Sequence, residues 1–148
     1  MLQFSGERRV MADLADVYAK LGDASFVVGS LPGGDQPLSA SAESATWKLK
    51  PPVSFVQGLF ETILQVVERS EGRMIRTEMR TSGMGAKATV ASRIELDAHP
   101  EGGTRIRWQS TVTSLEGLLK MVPKSAIQRN ATPMMEQSWD DLERRLAQ

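Results

Sequence analysis

Two hydrophobic periods divide the chain. Through most of residues 45–112 apolar side chains recur at every second position, the period of a half-buried strand. Over residues 123–146 they recur every third and fourth position, the period of one helix face. The helical stripe is Ile127, Ala131, Met134, Met135, Trp139, Leu142 and Leu146, and the opposite face carries Lys124, Gln128, Arg129, Glu136, Gln137, Asp140, Glu143 and Arg144. Such a helix is a rod of roughly 36 Å and needs an extended apolar surface to lie on. Pro133 inside it predicts either a kink or a restart capped by Thr132. The stripe keeps its phase through Pro133, which favours the kink.

The first strand runs through Leu2, Phe4, Gly6, Arg8 and Val10 on its inner row, with Arg8 as the interruption. Arg8 either snorkels to water at a strand end or supplies a cation at a cavity mouth. Two short helices follow, one at 14–21 capped by Asp13 and closed by Gly22, the other at 24–28 capped by Asp23 and closed by Gly29. Leu31-Pro32-Gly33-Gly34-Asp35 reads as a turn, because it has neither the lysine nor the following helix of a phosphate loop.

Strands are then predicted at 45–50, at 53–58 after Pro51-Pro52, and at 60–67 with Phe60, Thr62, Leu64 and Val66 inward. The next three carry Ile75, Thr77, Met79 and Thr81; Val90, Ser92, Ile94 and Leu96; and Thr104, Ile106, Trp108, Ser110 and Val112. Short turns make them antiparallel. On the outer row Leu59, Ile63 and Val67 are apolar, which fits either a homodimer contact or a crowded sheet. A sheet of about seven strands curls. The expected architecture is therefore α+β, one domain over residues 1–148, with a curled seven-stranded antiparallel sheet gripping the long terminal helix. Ile75, Val90, Ile94, Ile106 and Trp108 should face that helix. A cavity between them is expected to open at the terminal helix, the 28–34 segment and the turn at 83–85, where glycines leave a rim of little bulk.

Charge then narrows function. Lys plus Arg number 18 and Asp plus Glu number 18, and aromatics are 5%, so neither a basic field nor stacking platforms recruit nucleic acid. With no cysteine and one histidine, thiolate chemistry and multi-histidine metal sites are excluded, and no cofactor is expected. Residues 1–10 lack a leader pattern and no apolar run reaches membrane-span length, which predicts a cytoplasmic protein. His99 falls in a hairpin turn and is expected in water, and Glu61, Glu68, Glu78 and Glu95 lie on the outward phase. The inner polar groups are Thr62, Thr77, Thr81, Ser92, Ser110 and Tyr18, which orient ligands better than they exchange protons near neutral pH. Binding is thus favoured over catalysis. The expected ligand-binding set is Trp47, Phe60, Leu64, Met79, Trp108, Met134, Met135 and Trp139, around a lipophilic small molecule; plain core packing is the competing reading of the Met and Trp positions. The basic and apolar stretch 117–132 either starts the terminal helix or docks on anionic lipid.

The chain resembles the CoxG family, which takes its name from a component of carbon monoxide dehydrogenase and falls within the START-related, polyketide-cyclase-like superfamily. The similar features are Phe4-Ser5-Gly6-Glu7, Leu31-Pro32-Gly33, Val53-Ser54-Phe55 with Gly58, Glu101-Gly102-Gly103-Thr104-Arg105-Ile106, and Trp139-Asp140-Asp141-Leu142, in order along the whole chain. The resemblance implies a helix-grip fold with an elongated cavity, and an accessory role beside a molybdenum hydroxylase of the carbon monoxide dehydrogenase type: enzyme maturation, membrane recruitment or quinone handling. Longer members carry an apolar C-terminal extension. Here the chain ends at Gln148, so the resemblance implies at most peripheral contact with the inner membrane face. The alternatives are a cyclase-like or hydrolase-like enzyme of the same superfamily, or an interaction protein without ligand.

Overall fold

A computed structural model describes residues 2–50 and 58–148. Strand β1 (Gln3–Val10) is followed by helices α1 (Leu14–Leu21) and α2 (Ala24–Val27) and a 3-10 turn at Val28–Ser30. Then come β2 (Ser39–Ala40), β3 (Ser44–Leu49), β4 (Phe60–Ser70), β5 (Met74–Gly83), β6 (Ala86–Ala98) and β7 (Thr104–Gly117), a second 3-10 turn at Leu118–Met121, and helix α3 (Lys124–Leu146). The strands form one sheet in the order β1-β7-β6-β5-β4-β3-β2, with every neighbouring pair antiparallel. The curled sheet and the long terminal helix are those the periodicity predicts. One strand differs: the second is the two-residue Ser39–Ala40, laid on Thr46 and Ala45. The strand expected at 53–58 falls on positions of which 53–57 lie outside the described residues.

Two bulges bend the ladder. Between β4 and β5 the register shifts at Val66/Glu68, leaving Val67 extra and exposed; between β6 and β7 it shifts at Thr89/Val90. An extra residue increases local twist and coils the sheet. Beyond the first bulge Arg69 pairs with Ile75 of the inner row, and its guanidinium donates to Gly22 O at 2.8 Å and Ala42 O at 3.0 Å. The bulge thus turns an arginine of the outward phase inward, where it ties the sheet to the end of α1. Gly22 closes α1 as expected, with φ −85°, outside the left-handed region.

Ile75, Ile94, Ile106 and Trp108 are buried on the concave face as expected, and Val90 is half-buried there. The β5–β6 connection is a two-residue hairpin at Met84 and Gly85, both at positive φ (51° and 75°), which matches the twist of the strands it joins. On the convex face the carboxylates pair with arginines: Glu68 with Arg76, Glu78 with Arg80, and Glu95 with Arg93.

Helix α3 is one helix, so the restart at Pro133 does not occur. Thr132 Oγ1 donates to Gln128 O and Asn130 Nδ2 to Ala126 O, each at 2.7 Å, so side chains supply donors in the turn where proline removes one. Among the described residues no helix is long and apolar enough to cross a membrane.

Candidate functional site

Among the described residues the buried apolar side chains do not form one continuous core. They separate into three clusters. One joins α1, the C-terminal half of α3 and Ile75, Ile94, Ile106 and Trp108. A second joins Leu2, Phe60, Ala86, Leu119, Val122 and Ile127. The third joins Ala24 and Val28 to Ala45, Trp47, Leu49 and Leu64. A domain of this size ordinarily has one contiguous core. Here a cavity of about 280 Å³ lies among the three, and each supplies part of its wall: Trp108, Trp139 and Leu142 from the first, Phe60, Leu119 and Ile127 from the second, Trp47, Leu49 and Leu64 from the third.

Trp47, Phe60, Leu64, Met79, Trp108, Met134, Met135 and Trp139 all line this cavity. Met134 and Met135 are half-buried on α3, Met134 packed toward the Trp47 cluster and Met135 toward the Trp108 cluster. Unbranched thioethers suit a wall that meets two different surfaces. The Trp108 and Trp139 rings stack at 5.6 Å with 19° between their planes. Trp47 Nε1 donates to Pro32 O at 3.0 Å, so the Leu31-Pro32 turn is pinned over the cavity by one of the side chains that line it. The wall at the Leu119 end comes from the Leu118–Met121 turn, and not from the hairpin glycines 83 and 85, which do not line the cavity.

Among the described residues no lining residue is ionisable, and the hydroxyl side chains are Thr77, Thr81, Ser92, Ser110 and Ser138. Three of these are matched across strands. Ser92 Oγ and Ser110 Oγ are 2.7 Å apart, and Thr81 Oγ1 lies 2.9 Å from Thr62 Oγ1, which is itself wholly buried behind the wall. Such pairs satisfy buried hydroxyls without a ligand. Tyr18 packs against the first cluster and does not line the cavity. His99 is half-exposed and tied into its turn: its Nδ1 accepts the Glu101 backbone N–H at 3.1 Å, a contact the hairpin pattern does not reveal.

Gly6 is required by close approach. A Cβ there would stand 2.6 Å from Trp108 Nε1 and 2.9 Å from two further atoms of the ring. The indole N–H, buried and without a hydrogen-bond partner among the described residues, is thus pressed on the β1 backbone while its ring stacks on Trp139. Gly6→Ala is expected to cost about 1–3 kcal/mol by overpacking and to change the near-ultraviolet circular dichroism of the tryptophans. A variant with wild-type spectrum and denaturation midpoint would show that the ring has room to shift.

Arg8 does neither of the two things its sequence position suggests. It reaches across to α3, donating to Asp140 Oδ1 at 2.5 Å and Glu136 Oε2 at 2.6 Å, with Glu143 at 4.0 Å. Burial alone would lower its pKa, but the hydrogen bonds and charges of Asp140 and Glu136 outweigh that and raise it. The three acids recur on one helix face at intervals of four and three, and that spacing was the available signal. A second tie joins the helix end to the first 3-10 turn: Arg145 donates to Ser30 Oγ at 2.5 Å, Ser30 Oγ donates to Asp141 Oδ2 at 2.7 Å, and the Arg145 guanidinium lies 4.1 Å from the Phe26 ring centre. Burial, and then the charge of Arg144, lower the Arg145 pKa. Arg8→Met should cost about 1 kcal/mol, discounted because Glu136 and Asp140 are more than half exposed. The loss should shrink in high salt; equal loss at all salt concentrations in denaturant titrations would mean that packing, not charge, is at stake.

A curled antiparallel sheet closed by a C-terminal helix, with an apolar cavity between, defines a START-like helix-grip protein. The sequence matches the family model for CoxG, a component of carbon monoxide dehydrogenase, over residues 6–147, and the chain belongs to that family. No functionally curated protein matches it. Among solved structures it is similar to a conserved protein from Geobacillus kaustophilus, with TM-score 0.81 and 14% identity over 99% of this chain and 95% of that one. It is also similar to a START superfamily protein from Mycobacterium smegmatis, with TM-score 0.65 and 12% identity over 97% and 95% of the two chains. A third likeness is to Ara h 8.0201, with TM-score 0.64 and 11% identity over 98% and 97%. At such identities these likenesses bear on the fold alone.

Proposed function

We propose that this protein is a carrier that holds a lipophilic small molecule, of quinone-like or lipid-like character, between the sheet and α3. The observation that supports this most is a cavity of about 280 Å³ with no ionisable group among the described residues of its wall. If closed and dry, such a void would forgo on the order of 7 kcal/mol of contact at roughly 24 cal/mol per Å³. An apolar guest recovers that deficit. An interaction protein with a filled core would have no reason to bear it, and an acid–base enzyme would need titratable groups at the wall. Among the described residues Thr77 and Ser138 are the hydroxyls left for a polar head, since the other lining hydroxyls pair with one another or with Thr62. The CoxG membership supports service in the cytoplasm to a molybdenum hydroxylase of the carbon monoxide dehydrogenase type, with the carried molecule passing to or from that enzyme.

All three tryptophans of the chain line the cavity, so their fluorescence reports on occupancy. Titration with a short-chain quinone should quench it saturably, and native mass spectrometry after gentle purification should find copurified lipid. Absence of both saturable quenching and bound lipid would overturn the carrier reading.

A further inference from the structure

The concave face of the sheet carries one polar row between two apolar ones. Thr77, Ser92 and Ser110 stand opposite one another in register across β5, β6 and β7, and all three line the cavity. About 7 Å along the strands to either side, the flanking rows are Ile75, Ile94 and Trp108, and Met79, Val90 and Val112. Helix α3 adds a fourth hydroxyl to the same cavity, that of Ser138. The helix crosses the sheet from the end where Ile127 clusters with Phe60 and Ala86 to the end where Leu142 and Leu146 cluster with Ile75 and Ile106. Ser138 lies one turn past Met134, which packs against the same cluster as Met79, and one residue before Trp139, which stacks on Trp108. Its place along the helix is therefore between the Met79 row and the Trp108 row, where the hydroxyl row crosses.

These hydroxyls are not spent on the fold. Thr132 donates back to the carbonyl of Gln128, a common fate of a hydroxyl inside a helix. Ser138, only 8% exposed, makes no such bond, and neither Ser138 nor Thr77 has a hydrogen-bond partner among the described residues. Neither is sealed from the cavity, since Trp108 Nε1 is the buried side-chain atom both shut off and unpartnered among the described residues. The Ser92–Ser110 bond uses one of its two protons and leaves the other free. A buried hydroxyl without a partner is costly, and Ala or Val would complete an apolar wall as well. The row thus offers protons and lone pairs but, among the described residues, no charge.

From this arrangement we infer that Thr77, the Ser92–Ser110 pair and Ser138 form the head-group subsite of the cavity, and that they select an uncharged oxygen head, a ketone or an alcohol, over a carboxylate. The inference rests on the carrier reading and adds to it the chemistry and the orientation of the guest. Hydroxyls from sheet and helix can donate to a carbonyl oxygen, or both donate to and accept from an alcohol. A carboxylate in the same place would lose its water and meet no counter-charge, so a fatty acid would have to enter protonated. The apolar remainder of the guest then points away from the row, toward Phe60, Leu119 and Ile127, where the lining hydroxyl, Thr81, is tied to Thr62 behind the wall.

The test is displacement of the neutral fluorescent probe N-phenylnaphthylamine from the full chain by methyl nonyl ketone, decanol, decanoate and decane, at mildly alkaline pH where the acid is ionised. The ketone and the alcohol should displace it at concentrations at least about tenfold below decanoate. Ser138→Ala and Thr77→Val remove a hydroxyl with little change of size. Each should narrow the ratio of ketone to decane affinity roughly fivefold, the worth of one hydrogen bond, and should hold or raise the denaturation midpoint; either carries the test alone if the other fails to fold. An unchanged ratio, or equal weakening of ketone and decane with a lowered midpoint, overturns the inference. So does decanoate binding as tightly as the ketone. Failure of the probe and all four compounds to bind saturably is a separate result, which overturns the carrier reading and this inference with it.

Discussion

Trp139→Ala should lower the stability of this protein by about 3 kcal/mol, toward the low end of the range for removing a buried large aromatic side chain. Trp139 is 8% exposed and joins α3 to the sheet through its stack on Trp108 and its place in the largest buried cluster. Its other side fronts the cavity, where there are fewer atoms to lose, and that keeps the cost from the top of the range. Trp139→Phe keeps a ring against Trp108 and should lose less than half as much. Urea titration followed by far-ultraviolet circular dichroism checks this, with an unchanged m-value expected if two-state unfolding holds. A loss under about 1 kcal/mol would mean that α3 is held by its ion pairs and end contacts, with the tryptophan stack only resting on it.

The inner rows were legible because a period of two assigns every second side chain to one face, and the assignment survives unless a bulge shifts it. That is why Ile75, Ile94, Ile106 and Trp108 are found buried together, and why the stripe of α3 meets them. The bulge at Val66/Glu68 was not legible, since Val66-Val67 reads as any crowded strand, and with it went the inward turn of Arg69. Strand β2 escaped because two residues are too few to show a period. Arg8 stands out in the sequence as an exception, yet its partners lie 128 or more positions away, and pairing at that distance needs the topology that lays β1 beside α3. The cavity is a different matter. Periodicity tells which side chains face inward but says nothing about whether they fill the space between sheet and helix, and that separates a wall from a core. The two methionines on α3 could have served either purpose.

Met135→Trp should abolish ligand binding while leaving the fold intact. Met135 is half-buried, lines the cavity and borders the Trp108 cluster, so a larger ring at this position has the cavity itself as the space to enter. Overpacking in a filled core costs about 1–3 kcal/mol, but here the added atoms gain contacts along walls that otherwise lack partners. The variant is therefore expected to be as stable as the wild type or more so. Binding should be followed by titration calorimetry with a short-chain quinone, because an extra indole would complicate fluorescence. The pairing of retained or raised stability with lost binding is the informative result. A destabilised variant would show that the cavity cannot take the ring, and Met135→Phe then repeats the test with a smaller one. Wild-type affinity in a stable Met135→Trp would place the ligand elsewhere, since an occupied cavity cannot also hold a guest along the same face of α3.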